Sequence, residues 1–422
     1  MQGREQGMTV TSAPPQVDIA STTVGEPAAR RLSRGVSGLY LTLYLHYGFF
    51  AFIPLWLKNS GASAGEIGVV LAIPLVLRLL TVAPFAAWAG RRGRVRDAIT
   101  ATALLSAVLI LLLLGRPGHA GRIAVVIFFS IAWDQLPVLA DAYATMAVRS
   151  QSLDFGRMRV WGSIAAVIST AAAGWVFGVT GIEALPWLVA LLLLLPVGVA
   201  PLLPPDKRMA QLEPGPAARW RDVLGDATLM RVMAAAAAIM GSHGVLTSFA
   251  AIQWSGQGIS TGMIGTLQAI AVSAEIIAFW FGAKLLGHRD PGVLVCIAAV
   301  AAAARWIIMA TDPGFGVLVA TQLLHSITST GAILGTMLVI AARVPVKNSA
   351  AAQGVYAVLL GIALAATTAG SGLLWGYGVS TAYLAMAALA GVGAVLAWPI
   401  GGPAAASAAS PVIGTAAGRS DQ

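Results

Sequence analysis

The sequence predicts an all-α membrane protein of twelve transmembrane helices arranged as two pseudo-symmetric six-helix bundles. Three observations predict it. Of 422 residues, 58% are hydrophobic and only 10% charged, with mean hydropathy +0.81. A soluble protein carries about 25% charged residues, so a water-covered globule of this size is excluded. Second, the chain divides into twelve apolar runs of about the 20 residues a spanning helix needs. Third, the runs fall into two blocks of 168 and 170 residues, 36–203 and 231–400, on either side of a polar stretch. Near-equal blocks point to an internal duplication.

Residues 1–34 are polar, hold Pro14, Pro15 and Pro27, and end on Arg30, Arg31 and Arg34. They read as a disordered cytoplasmic tail rather than a removed signal peptide, because the apolar run that follows is too long. Apolar segments follow at about 36–57, 65–88, 97–115, 121–148, 157–180 and 184–203, so the N-terminal bundle is 35–203. Residues 204–230, with Pro204, Pro205, Asp206, Lys207, Arg208, Pro214 and Pro216, read as a cytoplasmic linker. Six more segments, at about 231–252, 262–286, 291–311, 314–342, 349–374 and 379–400, make the C-terminal bundle, 231–400. The Ala/Ser/Gly-rich residues 401–422 read as a second cytoplasmic tail.

A direct match supports duplication. Gly61-Ala62-Ser63-Ala64-Gly65-Glu66-Ile67-Gly68 precedes the second segment, and Gly258-Ile259-Ser260-Thr261-Gly262-Met263-Ile264-Gly265 precedes the eighth, 197 residues later. Both fit the G-x-S-x-G hydrolase pattern. That pattern needs a strand–turn–helix setting, whereas these sit between membrane helices. Ser63 and Ser260 therefore read as helix N-caps, and Ser63-x-x-Glu66 as a capping box.

Basic residues set the orientation. With the N-terminus inside, 21 of the 26 Lys and Arg lie in cytoplasmic segments, including Arg91, Arg92, Arg94 and Arg96 between the second and third helices. Three lie outside, Lys58, Arg116 and Arg122, and two, Arg78 and Arg305, lie within helices. Both termini and the linker are expected on the cytoplasmic side of a bacterial inner membrane. The +9 net charge is thereby explained without a nucleic-acid partner. The lone Cys296 excludes an intrachain disulfide.

An ionised side chain at the bilayer centre costs about 2.5–3.5 kcal/mol on insertion scales, so such groups need partners or a wet cavity. This chain has His46, Arg78, Asp134, Asp141, His243, Glu275, Arg305 and His325 near mid-helix, which points to a polar pathway. Asp134 and Asp141, seven apart, share one helix face. Asp141 either lines a cavity or pairs with a loop arginine such as Arg149. Glu275 stands in Val272-Ser273-Ala274-Glu275-Ile276-Ile277, where desolvation and a nearby arginine would tune a proton carrier. Its counterpart at the 197 offset is Arg78, so the two are expected to face each other across a central cavity. Arg305 would hold Glu275 or bind an anionic substrate. His243 and His325 would relay protons or bridge helices. His46 and Tyr47 belong to an aromatic first helix suited to a ring-bearing substrate, and Trp254 is a further candidate contact. There is no G-K-[ST], HExxH or CxxC, hence no P-loop ATPase, and no metal or cofactor is expected.

Two six-helix blocks, a basic linker and short loops resemble the major facilitator superfamily. Its G-x-x-x-D-R-x-G-R-R loop pattern recurs in altered form as Ala86-Ala87-Trp88-Ala89-Gly90-Arg91-Arg92-Gly93-Arg94, with Gly90 for the aspartate. Asp154-Phe155-Gly156-Arg157-Met158-Arg159-Val160-Trp161-Gly162-Ser163 is similar to the [DE]-[FY]-G-x-x-R-x-[WF]-G block of the lactose-permease-like and 3-phenylpropionic acid transporter-like branches. The latter is further resembled by Trp56-Leu57-Lys58 with Ile67-Gly68, Gly241-Ser242-His243, Ala274-Glu275-Ile276-Ile277, Arg305-Trp306-Ile307-Ile308-Met309 and Gln322-Leu323-Leu324-His325. In the lactose-permease-like branch an acid, an arginine and a histidine of helices 8, 9 and 10 serve sugar binding and proton coupling. Glu275, Arg305 and His325 match them. The acid expected one turn after the histidine is replaced by Thr328, which moves proton carriage to Glu275 or to Asp134 and Asp141.

The resemblance implies a monomeric, proton-coupled symporter importing a small organic solute by alternating access. An aromatic carboxylate is the favoured cargo, held by Arg78 or Arg305. The alternatives are a sugar or nucleoside symporter and a drug/proton exporter.

Overall fold

The computed structural model describes residues 26–151, 153–206, 220–286, 290–345 and 348–398. Among them, twelve spans are long and apolar enough to cross a membrane. Nine are built from a single long helix and three are broken. The first span comprises α1 (Glu26–Tyr44), α2 (Tyr47–Phe50) and α3 (Ile53–Asn59). Then come α4 (Ala64–Arg91), α5 (Val95–Leu111), and the fourth span as α6 (His119–Trp133) and α7 (Gln135–Gln151). Helices α8 (Phe155–Thr180) and α9 (Leu185–Val199) complete the first half. A short α10 (Trp220–Leu224) leads to the seventh span, α11 (Ala227–Gly241) and α12 (Gly244–Gly256). Spans eight to twelve are α13 (Thr261–Leu286), α14 (Pro291–Ala310), α15 (Phe315–Arg343), α16 (Ser349–Trp375) and α17 (Val379–Ala397).

The boundaries differ from expectation at two places. Helix α1 starts at Glu26, so residues 26–34, expected as tail, are helical; Leu32 is already buried. The seventh span starts at Ala227, where Asp226 accepts from the Leu229 amide as N-cap. Residues 1–25, 207–219 and 399–422, covering most of the expected tails and linker, lie outside the described residues.

The breaks have local causes. Proline has no N–H to donate to the carbonyl four residues back. Pro54 leaves Phe50, the last residue of α2, without that bond, and Pro137 does the same to Trp133, the last residue of α6. The seventh span breaks at Ser242–His243, between Gly241 and Gly244. His46 and His243 occupy the first and seventh breaks and are related by the 197-residue offset; Asp134 occupies the fourth.

The duplication is visible in the packing. A Cβ on Gly48 would fall 2.2 Å from the Thr170 backbone N of α8, and one on Gly244 would fall 2.9 Å from the Thr368 backbone N of α16. Each break thus presses a glycine against the equivalent helix of its own half. Between halves, α4 crosses α16 and α8 crosses α13. A Cβ on Gly372 would sit 2.6 Å from the Ala64 carbonyl and 2.9 Å from Gly68 Cα. A Cβ on Gly174 would sit 2.1 Å from the Thr261 carbonyl and 2.9 Å from the Gly265 N. Ala64 and Gly68 are the 197-offset partners of Thr261 and Gly265, so the halves close against each other twice, symmetrically, at one end of the molecule. The serines at that end are caps: Ser63 forms the full capping box with Glu66, and Ser260 Oγ accepts from the Met263 amide.

Candidate functional site

In the C-terminal half the titratable groups form a chain. His325 on α15 lies between Glu275 on α13 and Arg305 on α14. Its Nε2 is 3.5 Å from Glu275 Oε2, and its Nδ1 is 3.0 Å from an Arg305 guanidinium nitrogen. A guanidinium only donates, so Nδ1 is the acceptor and the imidazole proton sits on Nε2, facing the carboxylate. The expectation that Arg305 holds Glu275 directly is corrected: the imidazole stands between them. Arg305 also donates to Gln322 Oε1 at 3.2 Å and lies 4.8 Å from the centre of the Trp306 ring. Its side chain is 0% exposed. That burial removes it from the substrate-binding role expected for it in this conformation.

His243 stands behind this chain. Its Nδ1 donates to the Ile239 carbonyl, and its Nε2 faces the Thr328 hydroxyl at 3.0 Å. Its ring is 5.1 Å from that of His325 and 5.0 Å from Trp306, whose indole N–H donates to Ser242 Oγ. Thr328, at the position where the resembled branch has an acid, therefore serves as the hydroxyl partner of a buried imidazole. His243 and Trp254, expected as substrate contacts, are buried, Trp254 to 1% exposure, and present no free surface here.

The N-terminal half supplies a different chemistry. The Tyr40 hydroxyl donates to Asp141 Oδ1 at 2.7 Å. Arg159 of α8 lies 3.6 Å from the same carboxylate oxygen and donates to the Tyr44 hydroxyl at 2.8 Å. Its guanidinium stands over the rings of Tyr44 and Tyr40, at 4.5 and 5.3 Å, and the Phe155 ring meets Tyr40 edge-on at 6.4 Å. Asp141 thus pairs with Arg159 and not with Arg149. Gly162 makes the room: a Cβ there would lie 2.9 Å from an Arg159 nitrogen and 3.0 Å from Tyr44. Arg159 stands at the arginine position of the Asp154–Ser163 block. Its place two residues after Arg157, inside the Gly156–Gly162 stretch, was the signal for a helix-borne cation.

His46 is buried and accepts from the Trp133 indole N–H. Trp133 stacks on Phe50 with centroids 4.3 Å apart. His46 therefore orients Trp133 and does not itself line open space. Tyr47, at 41% exposure, does. Glu275, Asp134 and Arg78 lie in its electrostatic neighbourhood, and Arg78 in that of Asp134. One side chain at the first helix break thereby collects an acid of the fourth span, the arginine of the second and the carboxylate of the C-terminal half. Among the described residues no group of three or more His, Cys, Asp or Glu is placed to hold a metal ion.

Comparison with known proteins agrees with this architecture. The chain is 30% identical over 347 residues to an Escherichia coli (strain K12) protein described as a "probable 3-phenylpropionic acid transporter", covering 80% of this chain and 90% of that one. It is 23% identical over 330 residues to the maltose permease of Geobacillus stearothermophilus, covering 76% and 82%. Among solved structures, the nucleoside transporter NupG superimposes with a TM-score of 0.70 at 16% identity, over 87% of this chain and 98% of that one. A D-xylose-proton symporter gives 0.63 at 12% identity, over 89% and 98%. At such identities the structural likeness speaks for the fold. The MFS_1-like family model matches residues 35–385, and the chain therefore belongs to the MFS_1-like family: it is a twelve-helix membrane transporter and not an enzyme.

Proposed function

We propose that the protein is a proton-coupled symporter importing a small aromatic carboxylate by alternating access, working as a monomer in a bacterial inner membrane with both termini cytoplasmic. The observation that carries the proposal is the Glu275–His325–Arg305 chain, with spacings of 3.5 and 3.0 Å. Glu275 is the proton carrier. The Nε2–H of His325 faces the ionised carboxylate and favours release of the carried proton, and Arg305 is the fixed cation that holds the imidazole. Asp134, beside Arg78 and Tyr47, links the charge of Glu275 to the cavity, and Asp141 sets Arg159. The cargo's carboxylate pairs with Arg78 or Arg159, which unlike Arg305 are not fully buried, while Tyr44 and Tyr47 offer ring faces. The 3-phenylpropionic acid transporter relative supports this cargo.

Uptake into proteoliposomes under an imposed pH gradient tests the coupling. Glu275→Gln is expected to abolish gradient-driven accumulation while sparing exchange of labelled for unlabelled solute. Full accumulation by the variant removes Glu275 as the proton site.

A neutral sugar or nucleoside is the second reading. Asp141, with its side chain 44% exposed, can accept from hydroxyls, and the maltose permease relative supports the same reading. A thermal-shift screen of aromatic acids, sugars and nucleosides separates the two readings.

A further inference from the structure

We propose that the turn between α4 and α5 is a binding site for the phosphate headgroup of an anionic phospholipid, held by Arg91, Arg92 and Arg94. The turn is tight, with Gly93 at φ +58°, so three guanidinium side chains radiate from four consecutive positions. All three are exposed. Among the described residues none has a carboxylate within ion-pair distance. The acids nearby are already engaged. Asp97 is held by Arg96 at 3.0 Å, and the buried Asp206 accepts from the Val95 and Arg96 backbone amides. The loop aspartate that the superfamily pattern would supply is replaced here by Gly90.

The site is placed at headgroup depth by its aromatic neighbours. Arg92 lies 5.3 Å from the centre of the Trp88 ring, which stacks on Phe85 at 5.6 Å. Trp88 is exposed near the end of a spanning helix, where indoles sit at the membrane–water boundary. Beside Arg94 opens a cleft of about 230 Å³, walled by Gly93, Arg96 and Pro205 together with the two engaged acids. Orientation by positive charge needs only a cation on this loop. One unpaired fork beside the cleft, Arg94, and another over an interfacial indole, Arg92, match the planar, two-pronged geometry of phosphate recognition. A lipid is the occupant because Trp88 and Phe85 supply a wall that suits acyl chains.

The test uses the full chain in nanodiscs of phosphatidylcholine with a minority of phosphatidylglycerol, and native mass spectrometry of the released protein. Phosphatidylglycerol adducts are expected in clear excess over phosphatidylcholine. Each interfacial arginine is worth about fivefold in affinity for an anionic surface, so replacing all three by Gln is expected to lower occupancy affinity roughly 100-fold. The triple Lys variant keeps the charge without the fork and is expected to fall about tenfold. Raising salt from about 0.1 M to about 1 M shortens the Debye length from about 10 Å to about 3 Å and must release the lipid from the unaltered chain, which needs no variant to fold. Equal retention of both lipids, unchanged occupancy in the Gln variant or in high salt, or full affinity in the Lys variant overturns the proposal. Displacement by millimolar inorganic phosphate would assign the site to a free anion and overturn it equally.

Discussion

At the scale of single residues, burial cost made Glu275, Arg305 and His325 legible before their contacts were known. Each is a titratable group in an apolar run, and at about 2.5–3.5 kcal/mol apiece such groups do not persist without partners. Sequence could not show the order of the chain, with His325 in the middle, because order depends on how three helices pack. The contacts of Arg159 were hidden for the opposite reason. It lies near a helix end, where cations are common, and only the fold turns it over Tyr40 and Tyr44. Trp254 and His46 misled because an aromatic or imidazole in a membrane helix can pack inward as readily as it can line a cavity. Arg159 is the sharper test of the cavity. Its guanidinium donates to the Tyr44 hydroxyl and stands over two rings, which a compact ammonium cannot reproduce. Arg159→Lys is expected to raise the Kd for substrate about tenfold, near 1.4 kcal/mol, and Arg159→Gln by more. Both should leave the proton-to-substrate ratio measured by reversal potential unchanged. A changed ratio with unchanged Kd would place Arg159 in the coupling path instead.

At the scale of elements, hydropathy found all twelve spans and missed that three are broken. A hydropathy window sums side chains and does not register a missing backbone bond. Pro54 and Pro137 carried that information, since each removes the bond at which α2 and α6 end. The linker's far end shows a smaller device. Asp226 caps α11 and takes two bonds from Arg343, at 2.9 and 3.1 Å. The Arg343 guanidinium, first, and the Leu229 amide hold the Asp226 carboxyl below its ordinary value of 3.8. A depressed carboxyl contributes stability above its unfolded pKa and loses it as pH falls through the folded one. Asp226→Asn keeps a capping side chain and removes the charge pair. It is expected to cost about 0.2–1 kcal/mol near neutrality, as exposed pairs do. Thermal unfolding of the two proteins should converge as pH drops below about 4; a gap that persists in acid would assign the loss to the cap.

At the scale of the whole molecule, the 197-residue repeat predicted two equivalent bundles, and the glycine crossings show how they meet. Ala64 and Gly68 press on Gly372 while Thr261 and Gly265 press on Gly174, two copies of one contact on opposite flanks of the same end. Half of this was readable in advance as the matching Gly61–Gly68 and Gly258–Gly265 stretches. The partner glycines on α8 and α16 were not, because no local pattern marks which helix a small residue will face. If the halves move as rigid bodies in alternating access, the two crossings must open together. Gly174→Leu is therefore a wedge with a distant readout. Its Cβ alone would meet the Thr261 carbonyl at 2.1 Å, and backbone cannot give way as a side chain can. On a Cys296→Ser background, an introduced Ile67→Cys reports the opposite crossing and Ile264→Cys the near one; both positions are buried in the unaltered chain. The wedge is expected to raise maleimide reactivity at both by a similar factor, and to slow substrate uptake. Reactivity that rises at position 264 while position 67 stays shut would mean a local distortion of α13 and halves that do not rock as units.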